Sequence, residues 1–351
     1  MNKNIRVCVT GAGSGVGQGI IKSLQKSELN LTIIAADISP FHAGLYVTDE
    51  NMQIPKMEDD GSLVEIIDLL KSKKIDVLMI GSEFELEFFC ENKEAIEKET
   101  SCHIVVHDLS VIEMGHDKFK TYEFLKANDL PFANSFSPDN LETALKNAKE
   151  LGYPLVLKPR KGTSNRDVYI VDSKEKLERY FPRVSMPMIQ ELINSPANTL
   201  QNEYTCSIFK TVKGEVIGPF TAKRTLRSGN SWVVEVKQFD EIKDDLISLG
   251  KKLNFVGSIN IQLMINKENK PVPFEINPRF SGTTAVRAYF GFNEPDMYLR
   301  NVLLKQELDS NLSFSSGMAF RYLEEIFIDG VSESDLTENQ SFIGKKDPSW
   351  F

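Results

Sequence analysis

The chain is 351 residues long, 41% hydrophobic and 26% charged, with 41 basic and 50 acidic residues for a net charge of −9. That length predicts two or three packed units, and the acidic balance excludes bulk binding to a nucleic-acid backbone, which needs a clustered basic surface, while leaving room for a local basic pocket around an anionic substrate. Four scattered cysteines without a CxxC pair read as reduced thiols, no signal-peptide core follows Met1, and no apolar run approaches the ~20 residues that span a bilayer, so the expectation is a cytoplasmic protein without a membrane partner.

Residues 5–10 form a short apolar strand, followed by Gly11-Ala12-Gly13-Ser14-Gly15-Val16-Gly17 and a helical run over 18–25. A second buried strand over 31–36 ends at Asp37, a helix covers 63–72, a third strand 75–80, another helix 85–99, and a strand over 103–106 closes the series. Strands separated by helices imply a parallel sheet with helices on both faces. The four glycines between strand and helix, with Asp37 ending the next strand, have the layout of a dinucleotide site. Glycines serve tight strand–helix turns without a ligand equally well, so an oxidoreductase reading hangs on the Gly11–Gly17 loop alone. His103 and His107 share a strand-like segment and lie too far apart on it to share one metal.

A new unit begins near His116. A helix over 117–128 ends at Asn128-Asp129-Leu130-Pro131, and another covers 140–151. Strands follow at 155–158, 168–171, 188–192, 203–209, 216–223 and 232–237. A helix at 242–253 then leads into final strands at 258–265 and 272–277. The last twenty residues are polar and acidic and suggest no role.

Four pieces of this second half carry chemistry. Asp117-Lys118 opens the first helix. Lys158 closes the apolar strand Leu155-Val156-Leu157 just before Gly162-Thr163-Ser164, placed to meet phosphates as a point charge while loop amides donate to them. Gln190-Glu191-Leu192-Ile193 precedes Asn202-Glu203. The fourth piece pairs Asn260-Ile261-Gln262 with Phe274-Glu275-Ile276-Asn277-Pro278-Arg279. On those strands Ile259, Ile261 and Leu263 share one face, with Phe274 and Ile276 expected in the core. Gln262, Glu275 and Asn277 then meet on the other face as an oxygen-only cluster, the ligand set that a phosphate-bound Mg²⁺ prefers. Arg279 follows two residues on, suited to phosphoryl oxygens.

In this order the pieces resemble the ATP-grasp superfamily, most closely the large chain of carbamoyl-phosphate synthetase and its small ligase relatives, from the first strand to about residue 330. The resemblance implies an N-terminal parallel Rossmann-like (pre-ATP-grasp) α/β domain, residues 1–114, followed by a two-lobed α+β ATP-grasp fold. Its small lobe is expected over 115–190 and its large lobe with a C-terminal extension over 191–351. Lys118 and Lys158 match the two lysines on ATP phosphates, with Thr163 and Ser164 in the phosphate loop. Glu191, Leu192 and Ile193 match the hinge that reads adenine, and Glu203 the acid that holds the ribose. Gln262, Glu275 and Asn277 match the ligands of Mg²⁺ (or Mn²⁺), and Arg279 the arginine at the transferred phosphoryl group.

The implied activity is ligation of a small-molecule carboxylate to an amine through an acyl phosphate, at the expense of ATP, by a protein free to be a homodimer. A non-catalytic ATP-binding regulator of the same fold is the alternative. Arg224, Arg227 and Glu83 are the candidates for substrate contact. The family's phosphate loop usually carries glycines where this chain has Asn165 and Asp167, and the charge of Asp167 would lie near phosphates.

Overall fold

The structure, a computed structural model, describes residues 4–162, 166–193, 200, 203–266, 268 and 270–338, and the backbone of 346–347. Five parallel strands form the first sheet: β1 (Ile5–Val9), β2 (Leu31–Asp37), β3 (Glu50–Gln53), β4 (Val77–Met79) and β5 (His103–Val105), in the order β3-β2-β1-β4-β5. Helices α1 (Gly15–Gln25), α2 (Ser62–Ser72), α3 (Leu86–Glu91), α4 (Lys93–Thr100) and α5 (Leu109–His116) complete the unit. Because side chains alternate along a strand, Val7, Val9, Val77 and Met79 enter one core with Ile20 and Leu24. Cys8, Leu78 and Ile104 enter a second core on the opposite face, with Ile66 and Phe89. This is the doubly covered parallel sheet that the strand–helix alternation predicts.

Local chemistry moves some boundaries. α1 begins at Gly15, three residues before its apolar periodicity, because the Ser14 hydroxyl caps it by accepting from the amides of Val16 and Gly17. The helix expected over 85–99 is interrupted at Asn92, whose side-chain amide donates to the Phe88 carbonyl at 2.9 Å. The short, polar β3 and the helix α5 carried no periodic signal.

The glycine loop is closed by the protein's own groups. Asp37 is 3% exposed; its carboxylate accepts from the Gly13 amide at 2.6 Å and pairs with His42 Nδ1 at 2.7 Å. A Cβ on Gly13 would stand 2.5 Å from the His42 ring, and one on Gly17 2.2 Å from the Gly11 carbonyl oxygen. The acid and the amide that a dinucleotide would engage are therefore committed inside the chain.

The second half holds two antiparallel sheets. α6 (Lys118–Ala127), β6 (Ser135–Phe136), α7 (Leu141–Leu151), β7 (Leu155–Pro159), β8 (Tyr169–Val171), α8 (Lys174–Tyr180) and β9 (Pro187–Glu191) contain the smaller sheet, ordered β6-β9-β7-β8. The larger, seven-stranded sheet uses β10 (Glu203–Lys210), β11 (Val216–Phe220), β12 (Ala222–Arg227), β13 (Asn230–Val236), β14 (Gly257–Ile265), β15 (Pro271–Asn277) and β16 (Gly317–Phe320). Its order is β15-β14-β10-β12-β13-β16, with β11 on β10. Helix α9 (Lys243–Lys252) covers one face: its Leu246 and Leu249 join Cys206, Ile208, Ile259, Ile261, Leu263 and Ile276 in one core.

The strand expected over 216–223 is two strands. Thr221 breaks it, its hydroxyl donating to the Lys237 carbonyl at 2.6 Å and accepting from the Phe239 amide at 3.2 Å. Phe274, expected in the core, is half-buried where the β14–β15 register slips. Two helices after β15, α10 (Thr284–Tyr289) and α11 (Glu294–Tyr298), pack on α1 and so fasten the first unit to the larger sheet. Among the described residues no helix is long and apolar enough to cross a membrane.

Replacing Asp37 with Ala separates architecture from ligand binding. It strands the Gly13 amide and His42, so it should cost about 1–3 kcal/mol of stability, read as a lowered midpoint in thermal unfolding. ATP affinity should stay within about twofold, a difference of roughly 0.4 kcal/mol. A tenfold loss of ATP affinity would put the nucleotide in the first unit.

Candidate active site

The site grows from the β14–β15 ladder. Gln262 stands opposite Glu275 and Asn260 opposite Asn277, with the register slip following Gln262. Gln262 and Glu275 are both half-buried, and among the described residues neither side chain makes a hydrogen bond, which leaves their side-chain oxygens uncommitted side by side. Asn277 is buried, its Oδ1 accepting from Arg279 Nη2 at 3.2 Å while its Nδ2 is an orphaned donor. Nowhere among the described residues do three His, Cys, Asp or Glu side chains converge as a metal site. A divalent ion at this ladder would draw on one carboxylate, amide oxygens and the phosphates of a nucleotide. That donor set fits Mg²⁺, which rarely uses an all-protein cage, and the uncommitted Gln262–Glu275 pair supplies the opening for it.

Two lysines come from the part of the chain that carries the smaller sheet. Lys158, on β7, is buried and donates to Gln190 Oε1 at 2.9 Å. Gln190 in turn donates to Ser135 Oγ at 2.9 Å, and Ser135 to the Ala133 carbonyl at 2.8 Å. That chain fixes the amide orientation: the Ser135 proton is spent on Ala133, so Ser135 must accept from Gln190, whose oxygen then faces the lysine. Burial, followed by the charge of Lys118, lowers the Lys158 pKa to about 8 against the opposing pull of Glu275. Lys118 and the carboxylate of Glu275 thus both lie within electrostatic reach of Lys158.

Lys118 starts α6 and donates to the Gly162 carbonyl at 2.8 Å. It is set by Asp117, which caps α6 through the amides of Phe119 and Lys120 and is gripped by Arg160 at 2.5–3.1 Å. Burial raises the Asp117 carboxyl, and Arg160 with those amides more than reverses it.

Arg279 reaches across to the first unit. Its Nη2 is 2.6 Å from Glu83 Oε2 and its Nη1 donates to the Phe280 carbonyl at 3.0 Å. Burial pushes the Glu83 carboxyl up, but Arg279, His116 and Lys118 together hold it below the usual range. His116 Nδ1 donates to Glu87 Oε1 at 3.2 Å, and its Nε2 stands 3.9 Å from Glu83.

The remaining expected residues fall into three groups. Glu191 ends β9, its carboxylate accepting from Asn134 at 2.9 Å, and half-buried Leu192 and Ile193 follow it. Glu203 and Arg224, expected at ribose and substrate, meet each other at 2.5 and 2.8 Å, and Arg227 stacks over Trp232 at 4.7 Å. Thr163 and Ser164 lie outside the described residues, as does Asn165. Asp167, at the family's glycine position, adopts left-handed backbone (φ 55°) with its side chain exposed, a conformation Asp tolerates better than most residues.

Sequence reasoning missed Gln190, His116 and the partners of Asn260. Asp117 was quoted without a role, although an acid directly before a helix is a readable cap. The others gave no signal, because their partners are remote in sequence.

Residues 115–283 match the model of an ATP-grasp domain, and residues 7–105 that of the PylC-like N-terminal domain. The chain is similar to N5-carboxyaminoimidazole synthetase from Staphylococcus aureus, with TM-score 0.69 at 17% identity over 96% of this chain and 86% of that one. It is similar also to the biotin carboxylase domain of 2-oxoglutarate carboxylase from Hydrogenobacter thermophilus, solved with MgADP and bicarbonate, with TM-score 0.71 at 16% identity over 99% and 83%. Biotin carboxylase from Campylobacter jejuni follows, with TM-score 0.69 at 15% identity over 84% and 70%.

A lysine whose pKa lies at about 8 is charged below that pH and neutral above it. If Lys158 binds phosphates as a cation, the ATP dissociation constant should be flat below about pH 7.5 and rise toward tenfold per pH unit above 8. Lys158→Arg, ionised throughout, should remove the rise; titration calorimetry between pH 7 and 9.5 reads both. A flat profile for the unaltered protein would take Lys158 out of the phosphate contacts.

Proposed function

The chain belongs to the ATP-grasp superfamily, and we propose that it is an ATP-dependent carboxylate–amine ligase working through an acyl phosphate. One observation supports the reading: buried Lys158 lies within electrostatic reach of both Lys118 and Glu275, the carboxylate that stands opposite Gln262. On that basis the phosphate-binding cations and the metal-binding edge are assigned to one site.

In this reading Lys118 and Lys158 bind the ATP phosphates, Thr163 and Ser164 lie in the loop over them, and Glu191, Leu192 and Ile193 read the adenine. Glu203 takes the ribose. Gln262, Glu275 and Asn277 hold Mg²⁺ or Mn²⁺, which when bound neutralises phosphate charge and orients the phosphoryl group. A substrate carboxylate oxygen attacks the γ-phosphorus in line, the bond to the β-phosphate oxygen breaks, and ADP leaves. Arg279 and Lys158 offset the charge gathering on the transferred group. The amine nitrogen then attacks the acyl carbon and loses a proton, and the carbon–oxygen bond to phosphate breaks. Glu83 holds Arg279 until a phosphoryl group competes for it, and together with Arg224 and Arg227 it lines the substrate side. No protein nucleophile is required.

Glu275→Gln conserves volume and removes the ladder's single carboxylate, so turnover should vanish while the fold stays intact by circular dichroism. Carboxylate substrate labelled with ¹⁸O should deliver one labelled oxygen to inorganic phosphate per turnover, measured by mass spectrometry. Unlabelled phosphate, from a reaction that consumes ATP and forms an amide, would rule out the acyl phosphate.

A further inference from the structure

The sheet face bearing the ladder continues as a polar stripe. Thr205 and Ser207 on β10, Ser258, Asn260 and Gln262 on β14, and Glu275 and Asn277 on β15 stand in cross-strand register. At its inner end the stripe is sealed by an ion pair wholly out of water: Arg287 of α10 and Glu294 of α11, both 0% exposed. Arg287 Nη1 lies 2.9 and 3.1 Å from the two Glu294 oxygens, and its Nη2 donates to Asn260 Oδ1. Glu294 Oε1 also accepts from Ser207 and Ser258, and Asn260 Oδ1 from Thr205 at 3.2 Å. Arg287 Nε has no partner among the described residues.

Stability does not explain this arrangement. Removing a guanidinium and a carboxylate from water costs about as much as their attraction returns, and apolar side chains of equal volume commonly do as well or better. What the pair adds is direction. Two donors on one oxygen, Thr205 and the planar fork of Arg287, fix the Asn260 side chain, and Asn260 faces Asn277 across the ladder. Helix α11 is tied to α1 and the turn after it: Asn293, its N-cap, donates from Nδ2 to the Ser23 carbonyl at 2.9 Å, and Ser27 donates to Asp296 at 2.5 Å, while α10 packs on α1. The ion pair thus joins the helix behind the glycine loop to the strands carrying Gln262, Glu275 and Asn277.

We propose that Arg287 and Glu294 are positioning residues for the metal site, holding β14 and β15 so that Gln262, Glu275 and Asn277 meet on one divalent ion. This rests on the reading of those three as metal ligands. A purely structural pair would affect unfolding and leave metal affinity alone.

Arg287→Met by itself would strand a buried carboxylate, so both partners are replaced together, Arg287→Met with Glu294→Gln. The probe is Mn²⁺, titrated by electron paramagnetic resonance in saturating ADP, alongside metal-free ADP affinity by calorimetry. The Mn²⁺ dissociation constant should rise tenfold or more, while metal-free ADP affinity stays within twofold. Asn260→Ala keeps the ion pair and removes the acceptor shared by Arg287 and Thr205, which links the pair to the ladder; it should give the same rise and decides the matter if the double variant does not fold. Unchanged Mn²⁺ affinity in either folded variant overturns the positioning role alone. An unaltered protein that holds no Mn²⁺ with ADP removes the ligand assignment, and this role with it.

Discussion

The proposed chemistry of this chain depends on the register between β14 and β15, and that register is set on the face away from the proposed metal ligands. Ile259, Ile261, Leu263 and Ile276 are sealed against α9, each contributing about 1.5–3 kcal/mol by burial. A slip of one residue would turn that set outward and drive Glu275 into the core. The apolar face therefore dictates that Gln262 opposes Glu275. The slip after Gln262 is local, displacing Phe274 rather than the ladder pairs, and bulges of this kind commonly re-aim side chains next to functional sites.

Cations around the site fall into two kinds by the company they keep. Arg160 and Arg224 are held by the carboxylates of Asp117 and Glu203, so their charge is answered within the protein. Lys158 is held by the amide of Gln190 and Lys118 by the carbonyl of Gly162. Neutral acceptors orient an ammonium without cancelling it, and the mutual repulsion of these two lysines is part of what lowers Lys158. Arg279 stands between the kinds, because its partner Glu83 belongs to the first unit and a phosphoryl group could displace it.

The order of motifs made the family and the β14–β15 pairing of Gln262 with Glu275 legible, since strand alternation is local and a hairpin brings near neighbours together. The parallel sheet was legible for the same reason. What escaped depends on distant partners or on single side chains. Asn92 splits a helix whose periodicity runs through it, and Thr221 splits a strand by bonding sixteen residues away. Glu203 and Arg224 were assigned separate tasks because nothing in the sequence says they touch. Gln190 looked like any polar residue beside a hinge; only its place between Lys158 and Ser135 gives it meaning. The pairing of Gln262 with Glu275 was readable because it follows from strand spacing and not from remote partners.

The glycine loop marks where a sequence fingerprint and its physics part. A dinucleotide site needs amides aimed outward at a helix N-terminus and an acid left for a ribose. Here Ser14 takes the first amides of α1 and Asp37 takes the Gly13 amide. The outward surface meets protein instead. A Cβ on Gly15 would lie 3.2 Å from Asn230 Oδ1 and 3.6 Å from Arg321 Nη1, and one on Gly19 3.1 Å from the Ser281 carbonyl oxygen. Arg321 donates to the carbonyls of Ser231 and Gly282 at 3.0 and 2.8 Å, tying β13 to the segment that follows Arg279. Small residues are needed in this loop so that the first unit can sit close against Ser281 and Gly282. The close approach that a dinucleotide site would give to a pyrophosphate is taken here by the other half of the chain.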